Sequence, residues 1–195
     1  MTPERSERLN AVLDKRQPGI TVVLENVADP HNISAVMRTC DAVGVQDIYI
    51  LNTVVPTRKK WGAKSSSSAA KWLTVHQFTD IDECFGELRK RFKKIFSTHL
   101  SEDAVQLYDL NLTEPVALVF GNEHSGLTEE ILKRCDGNFH IPQVGIIRSL
   151  NISVACAVSL YEAYRQKSIA GHYSQQQLSA DHRNHLFESW GKPGN

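Results

Sequence analysis

Three segments of the sequence place amide, hydroxyl and charged side chains directly after predicted strands. The first contains Asn32 and Arg38, the second contains Gly121, Glu123 and Gly126, and the third is the stretch 141–153. In open parallel sheets, ligands bind beyond the carboxyl ends of the strands. Side chains in these three segments are therefore candidates for binding and catalysis.

The first segment is the start of a predicted helix. With Ile33 as reference and 100° per residue, Arg38 lies about 140° away from the apolar face of that helix. Arg38 is thus expected to point off the core, and Asn32 stands at the helix start. The alternative is that Asn32 is an N-cap and Arg38 a solvated arginine.

The second segment has glycines on both sides of its polar residues. Gly121 and Gly126 allow a sharp turn and a close approach to a ligand. Glu123 is predicted to project from the sheet edge into the crevice, although most loop carboxylates are merely solvated. The segment has neither the ending of a Walker A loop nor a GxGxxG pattern.

The third segment combines apolar and polar residues before a long helix. Ser149, Asn151 and Ser153 open that helix, whereas capping requires only one such residue. The segment also carries four large aliphatic residues, which predict the apolar wall of a small-molecule pocket. They are Ile141, Val144, Ile146 and Ile147.

Strands and helices are predicted to alternate along the chain. Strands are expected over 20–24, 47–51, 73–78, 94–98, 116–120 and 138–141, and helices over 2–16, 33–43, 80–92, 128–135, 150–165 and 181–190. This alternation is typical of an α/β domain with a largely parallel sheet.

Composition excludes several classes of protein. The 195 residues carry 22 Lys and Arg against 22 Asp and Glu, which excludes a uniformly basic surface but not local basic patches. The apolar runs are far shorter than the ~20 residues of a membrane span, and the N-terminus does not resemble a secretory signal. Four separated cysteines without a CxxC motif indicate reduced thiols and a cytoplasmic protein. They are Cys40, Cys84, Cys135 and Cys156.

One loop combines positive charge with aromatic residues. Between Asp47 and Asp80 there are five Lys and Arg residues and no acid, with Trp61 and Trp72 interleaved. The pattern favours contact with nucleic acid through phosphate attraction and stacking, over an ordinary solvated surface. No set of metal ligands is apparent, since His182 and His185 have no cysteine or carboxylate beside them.

The three segments, in this order, resemble the SPOUT superfamily of RNA methyltransferases, and most closely its TrmH type. The similarity extends from about Gln17 to Arg165 and rests on three motifs. These are Asn32…Arg38-Thr39, Gly121-Asn122-Glu123…Gly126-Leu127, and Ile141-Pro142…Gly145…Ser149-Leu150-Asn151-Ile152-Ser153-Val154-Ala155.

The resemblance implies a fold, a cofactor and an assembly. The fold is a parallel α/β sheet flanked by helices, with a deep trefoil knot in its C-terminal part, which is an exception to the rule that chains do not knot. The cofactor is S-adenosylmethionine (AdoMet), converted to S-adenosylhomocysteine without a metal. The assembly is a homodimer that places the catalytic arginine near the partner's cofactor site.

The resemblance also assigns roles to residues. Catalytic roles fall on Asn32, Arg38, Glu123, Ser149 and Asn151, and AdoMet contacts on Thr98, Gly121, Ile141 and Leu150. The candidates for RNA phosphate contact are Arg5, Arg8, Arg16, Lys59, Lys60, Lys64, Arg165 and Lys167. Gln143 and Arg148 depart from the Met and Gln that family members often have at these positions.

The implied activity is 2′-O-methylation of a ribose in tRNA, at guanosine 18 of the D-loop. Residues 20–167 would form the catalytic domain, 1–19 an N-terminal helical extension that binds tRNA, and 168–195 a C-terminal helical extension. Three alternatives stay open: methylation of ribosomal RNA or of a wobble nucleotide, an RNA-binding module without catalysis, and a flavodoxin-like nucleotide binder. The identity of the general base is also open, because a guanidinium has a pKa above ~12 and Arg38 could instead bind phosphate and orient the hydroxyl.

Overall fold

Seven parallel strands form one sheet in the computed structural model, which describes residues 1–57, 69–147 and 149–192. The strands are β1 (Ile20–Glu25), β2 (Asp47–Leu51), β3 (Thr74–Phe78), β4 (Lys94–Thr98), β5 (Val105–Gln106), β6 (Val116–Phe120) and β7 (Gly137–His140), in the spatial order β3-β2-β1-β6-β4-β7-β5. The helices are α1 (Pro3–Leu13), α2 (Pro30–Ala42), α3 (Ile81–Arg91), α4 (Glu129–Arg134), α5 (Ile152–Ile169) and α6 (Ala180–Gly191).

The central strands are buried along their whole length. Every residue of β1, β2 and β6 is buried, as expected for parallel strands covered by helices on both faces. On one face, Met37 of α2 and Leu160 of α5 pack on the sheet, and on the other face Leu88 of α3 and Ile131 of α4 do so. The two core layers fix the direction of the loops at the carboxyl ends of the strands.

Helices α1 and α6 form a smaller third cluster. Leu9 and Leu13 of α1 pack with Leu186 and Trp190 of α6. The guanidinium of Arg183 in α6 lies 2.9 Å from a carboxylate oxygen of Asp14 and also donates to Asn10. The first and last helices of the described chain therefore pack against each other.

The sequence predicted this architecture closely. The strands 47–51, 94–98 and 116–120 coincide with the observed ones, and the other predicted elements overlap observed ones with shifted ends. Strand β5 was missed because it has only two residues, both exposed. Helix α5 continues to Ile169, beyond the predicted end at residue 165. The four cysteines are free, as the sequence predicted, and three of them are buried.

Two predicted RNA contacts are wrong because the side chains lie in the interior. Arg16 is fully buried, donates to Val45 O at 3.1 Å and forms an ion pair with Asp41 at 2.6 Å. Lys167 is 2% exposed and donates to the carbonyl oxygen of Thr113. Burial lowers the pKa of both groups, for Lys167 to about 8. Neither side chain is available to phosphate.

Candidate active site

The three predicted segments meet at the carboxyl end of the sheet. The side-chain amide of Asn32 in α2 donates to Oε1 of Glu123 at 2.7 Å, which joins the first segment to the second. The amide of Asn151 donates to Oδ1 of Asn32 at 3.1 Å, which joins the third segment to the first. Asn32 is thus the centre of a hydrogen-bonded chain that runs from Glu123 to Asn151. Along the sequence, Glu123 and Asn151 follow Asn32 by 91 and 119 residues.

Asn32 is free to make these contacts because another residue caps its helix. Asp29 is the N-cap of α2 and its carboxylate accepts a hydrogen bond from the backbone amide of His31 at 2.8 Å. Pro30 occupies the first helical turn, where its missing N–H costs nothing. The alternative role of Asn32 as an N-cap is therefore wrong. Asn151 does cap α5, accepting from the backbone amide of Ser153.

The loop after β6 is a closed turn. The backbone amides and carbonyls of Asn122 and Gly126 bond to each other in both directions at 3.0 Å. A side chain at position 121 would place its Cβ 2.4 Å from the carbonyl carbon of Gly126, and Gly126 itself has φ +69°. The predicted need for glycine on both sides of Glu123 is explained by this close approach and this backbone conformation.

A buried carboxylate anchors the end of the same loop. Glu25, the last residue of β1, is 1% exposed. Its two oxygens accept the backbone amide of Thr128 at 3.0 Å and the hydroxyl of Thr128 at 2.7 Å. Thr128 is the N-cap residue of α4, so Glu25 fixes the point at which the loop enters that helix. Glu25 carries no signal in the sequence, because a charged residue at the end of an apolar strand gives no pattern of its own.

A cleft of about 420 Å³ opens beside the network. Thr98, Gly121, Ile141 and Leu150 all line it, together with Glu123 and Ser149. This volume lies within the ~300–1,000 Å³ of small-molecule sites. The four positions assigned to the cofactor by resemblance therefore surround one cavity. Gln143 lines the same cavity.

Other predicted site residues lie outside this cavity. Arg38 is exposed, as the helical geometry predicts, and it is not among the residues that line the cleft. The predicted apolar wall is wrong for three of its four residues. Ile141 lines the cleft, but Val144, Ile146 and Ile147 have exposures of 106%, 99% and 75%. The loop directs these three side chains away from the cavity and toward solvent.

The remaining RNA candidates are distributed over the surface. Arg5 and Arg8 line a second cleft of about 360 Å³ between α1, α6 and Trp72. Arg165 is exposed and forms a two-point ion pair with Glu162. Trp72 packs edge-on against Trp190 at 5.4 Å between ring centroids, so it belongs to a packed aromatic pair. Lys59, Lys60, Lys64, Trp61 and Arg148 lie outside the described residues.

The described residues contain neither a candidate metal site nor a candidate membrane-spanning helix. Within residues 1–57, 69–147 and 149–192, no group of three or more His, Cys, Asp or Glu residues is arranged to hold a metal ion. In the same ranges, no helix combines the length and the apolar character needed to cross a bilayer.

Comparison with known proteins places the chain in a family. Residues 19–161 match the SpoU rRNA methylase family. The tRNA (guanosine(18)-2′-O)-methyltransferase of Thermus thermophilus is 40% identical over 191 residues, which cover 97% of this chain and 96% of that protein. The enzyme of the same name from Escherichia coli is 37% identical, with 96% and 82% of the two chains covered.

Solved structures give the same result. The TrmH/SpoU tRNA modifying enzyme of Aquifex aeolicus superposes with a TM-score of 0.88 at 35% identity, and 96% of this chain and 94% of that chain are covered. An AdoMet-bound rRNA methyltransferase from Sinorhizobium meliloti superposes with a TM-score of 0.68 at 25% identity over 78% of this chain and 57% of that chain. These matches confirm the predicted fold class, a parallel α/β sheet of the SPOUT type. The chain belongs to the SpoU methylase family of RNA-modifying enzymes.

Proposed function

We propose that the protein transfers a methyl group from AdoMet to the ribose 2′-oxygen of guanosine 18 in the D-loop of tRNA. One observation carries the proposal. The hydrogen-bonded chain Asn151–Asn32–Glu123 borders a cleft that all four positions assigned to the cofactor line. Relatives with this activity by name are 35–40% identical over nearly the whole chain, which supports the choice of tRNA over ribosomal RNA.

The residues of the cleft fit AdoMet. Its wall combines polar side chains with apolar ones, and the apolar residues Leu127, Phe139, Ile152 and Ala155 suit an adenine ring. Among the described residues that line it, Glu123 is the one carboxylate, and its charge suits the cationic sulfonium of AdoMet. AdoMet, when bound, supplies an electrophilic methyl group on a sulfonium. The absence of a side chain at Gly121 lets the turn close on Gly126, and this closed turn forms part of the cleft wall.

The protein's own residues position the reacting groups. Glu123 is held by Asn32, and we assign this pair the task of fixing the loop that borders the cofactor. Ser149 lines the cleft and is exposed, so its hydroxyl is available to the cofactor or the attacking ribose. Such positioning removes much of the entropic cost of bringing two bound reactants into line.

Arg38 is assigned to the RNA. Its side chain is exposed, and no hydrogen bond or ion pair to another described residue is seen for it. An exposed guanidinium of this kind is suited to bind an RNA phosphate. A role as general base would require that the bound RNA removes its proton. Arg38→Lys separates the two roles. If the variant keeps its turnover but binds tRNA more weakly, Arg38 binds phosphate. If turnover is lost even at saturating tRNA, the role of Arg38 as general base is supported.

We further propose a homodimer formed through α5 and the loop before it. Val144, Ile146 and Ile147 are exposed in this loop, and Val154 and Tyr161 of α5 are exposed by 46% and 54%. Helix α5 is apolar on more than one side, which is typical of a helix covered on both faces. A second copy of the chain is the occupant that this apolar surface fits, since it would also bring a second Arg38 to the site.

The N-terminal helical extension is proposed to contact tRNA. Arg5 and Arg8 stand beside Leu9, Val12 and Trp72 in the second cleft, which combines positive charge with apolar surface. Phosphate contact by these arginines predicts that tRNA affinity falls steeply with salt. Residues 20–167 then act as the catalytic domain, with 1–19 as an extension that binds tRNA and 168–195 as a C-terminal helical extension, in a cytoplasmic protein.

The test is methyl transfer to unmodified tRNA with radiolabelled AdoMet, followed by mapping of the labelled nucleotide. Label at the ribose of guanosine 18 supports the proposal. Label that appears only in ribosomal RNA, or at a wobble nucleotide, contradicts the substrate. AdoMet calorimetry completes the test, because absence of binding would favour an RNA-binding module without catalysis.

A further inference from the structure

Asn26 occupies an unusual backbone conformation at the end of β1. Its φ is +50°, and it is the one non-glycine residue with positive φ in the part of the chain that the structure describes. Asparagine tolerates this region better than most residues, but at a cost in free energy. Such a conformation persists only where surrounding contacts enforce it, so the contacts of Asn26 need an explanation.

The side chain of Asn26 holds the segment that follows β2. Its Oδ1 accepts the backbone amides of Thr53 at 2.9 Å and Val54 at 3.0 Å, and its Nδ2 donates to the hydroxyl of Thr53 at 2.9 Å. Asn26 is 5% exposed, so its own side chain is buried although Thr53 and Val54 lie at the surface. These hydrogen bonds fix the backbone of Asn26 in its strained conformation.

The backbone of Asn26 holds the loop that carries Glu123. Its carbonyl oxygen accepts the side-chain amide of Asn122 at 2.7 Å. The other end of that amide, Oδ1 of Asn122, accepts the backbone amides of His124 at 2.9 Å and Ser125 at 3.2 Å. Asn122 therefore shapes the turn around Glu123, and the direction of the Asn26 carbonyl decides where that turn sits.

We propose that Asn26 is a positioning residue for methyl transfer, acting through Asn122 on Glu123. It joins three loops at the carboxyl end of the sheet: its own, the segment after β2, and the turn 122–126. Asn26 thus ties the turn 122–126 to the segment 53–57. In the sequence, that segment is followed by the basic residues Arg58, Lys59 and Lys60. This role rests on the proposed function, because the reaction that it serves is the transfer to RNA.

Substitutions at Asn26 and at Asn122 test separately the side-chain contacts of Asn26 and the contact of its carbonyl oxygen with Asn122. Asn26→Asp keeps the oxygen that accepts the backbone amides of Thr53, Val54 and Val55 and still tolerates positive φ, so we expect kcat within about threefold of wild type. Asn26→Ala loses the clamp and is strained at φ +50°, so its carbonyl moves away from Asn122. We expect kcat to fall at least tenfold, and rescue by Asp distinguishes a specific contact from general packing.

Asn122→Asp cuts the same contact from the other side. It removes the donor to Asn26 but keeps the oxygen that accepts from His124 and Ser125. If the two asparagines act through each other, the double variant Asn26→Ala/Asn122→Asp is no slower than the slower single variant. Multiplied effects on kcat would overturn the proposal, because independent sites add in free energy.

The control is Asn52→Ala. Asn52 is also 5% exposed and follows β2, but its Oδ1 has no hydrogen-bond partner among the described residues. We expect this variant to lose stability without losing kcat, measured well below the melting temperature. An equal fall in kcat for Asn52→Ala would overturn the inference.

Hydrogen–deuterium exchange of the peptide 121–128 gives a readout without RNA. Asn26→Ala is expected to speed exchange of the amides in this turn at least tenfold, while Asn52→Ala leaves them within twofold. Unchanged exchange overturns the positioning role even if the wild-type enzyme is active. Faster exchange together with a wild-type protein that methylates no tRNA refutes the proposed function and leaves the role of Asn26 in holding the turn intact.

Discussion

Asn32→Asp is the substitution that tests the centre of the site most sharply. It preserves the shape of the side chain but replaces the amide nitrogen, which lies 2.7 Å from Oε1 of Glu123, with a carboxylate oxygen. A hydrogen bond to a charged group contributes about 1.5–3 kcal/mol, and that contribution is lost. Two like charges about 3.5 Å apart also repel by about 5 kcal/mol at an effective dielectric constant of about 20. The loop relieves part of this repulsion by moving or by binding a proton.

The expected loss of activity follows from the smaller of these figures. A cost of about 1.5–3 kcal/mol in the transition state corresponds to a rate that is about 10–150-fold lower. The assay is single-turnover methylation of unmodified tRNA with saturating AdoMet. Because protonation of one carboxyl group restores a donor, the deficit relative to wild type shrinks as the pH falls.

Two further variants refine the test. In Asn32→Asp/Glu123→Gln the hydrogen bond is restored with donor and acceptor exchanged, and we expect at least tenfold recovery over the single variant. Asn111→Asp adds the same charge at an exposed position before β6, where the oxygen that accepts the backbone amide of Thr113 is kept, and serves as the matched control. If Asn32→Asp retains activity within threefold of wild type at neutral pH, the Asn32–Glu123 contact does not serve catalysis and the reasoning fails.

Three other predictions concern the turn, the sheet and the assembly. Gly121→Ala is expected to abolish AdoMet binding in calorimetry, because its Cβ would lie 2.4 Å from backbone across the turn, and wild-type affinity would contradict the geometry. Asp47→Asn is expected to lower the free energy of unfolding at pH 7 by about 2 kcal/mol in urea denaturation, since it breaks a partly exposed ion pair. Burial opposes ionisation of Asp47, but hydrogen bonds from His76 and Arg91 outweigh it and hold its pKa well below the usual range. The free energy of unfolding of the wild type therefore decreases as the pH falls below about 4, and the Asn variant does not share this decrease. If the free energies of both proteins changed with pH in the same way, the stabilising role of ionised Asp47 would be refuted. Ile146→Glu, at a side chain 99% exposed, is expected to give a folded monomer in sedimentation velocity, whereas an unchanged dimer would exclude this loop from the interface.

The sequence predicted elements and the site well where a local pattern was sufficient. The 3.6-residue period of α2 placed Arg38 on the outside of its helix, which its exposure confirms. Glycines at 121 and 126 predicted a tight turn, and the structure shows one closed by reciprocal hydrogen bonds. The positions that line the cleft came from the family motifs, because residues from three different loops share no local pattern.

Errors arose where tertiary contacts override residue type. Arg16 and Lys167 have side chains that are usually solvated, but carbonyl and carboxylate partners from distant segments hold both of them in the interior. Ile146 looked like pocket lining because it is apolar, yet the loop turns it outward. Asn26 carried no signal at all, because its role depends on a backbone conformation and on neighbours brought by two other strands.

The central claim is that the three loops hold a methyl donor against one ribose 2′-oxygen of tRNA. The most direct measurement uses a tRNA in which guanosine 18 alone is replaced by 2′-deoxyguanosine, with a matched tRNA that has the deoxy substitution at the neighbouring nucleotide. We predict no transfer of label to the first tRNA and near wild-type transfer to the second. Undiminished transfer to the first tRNA would contradict the account.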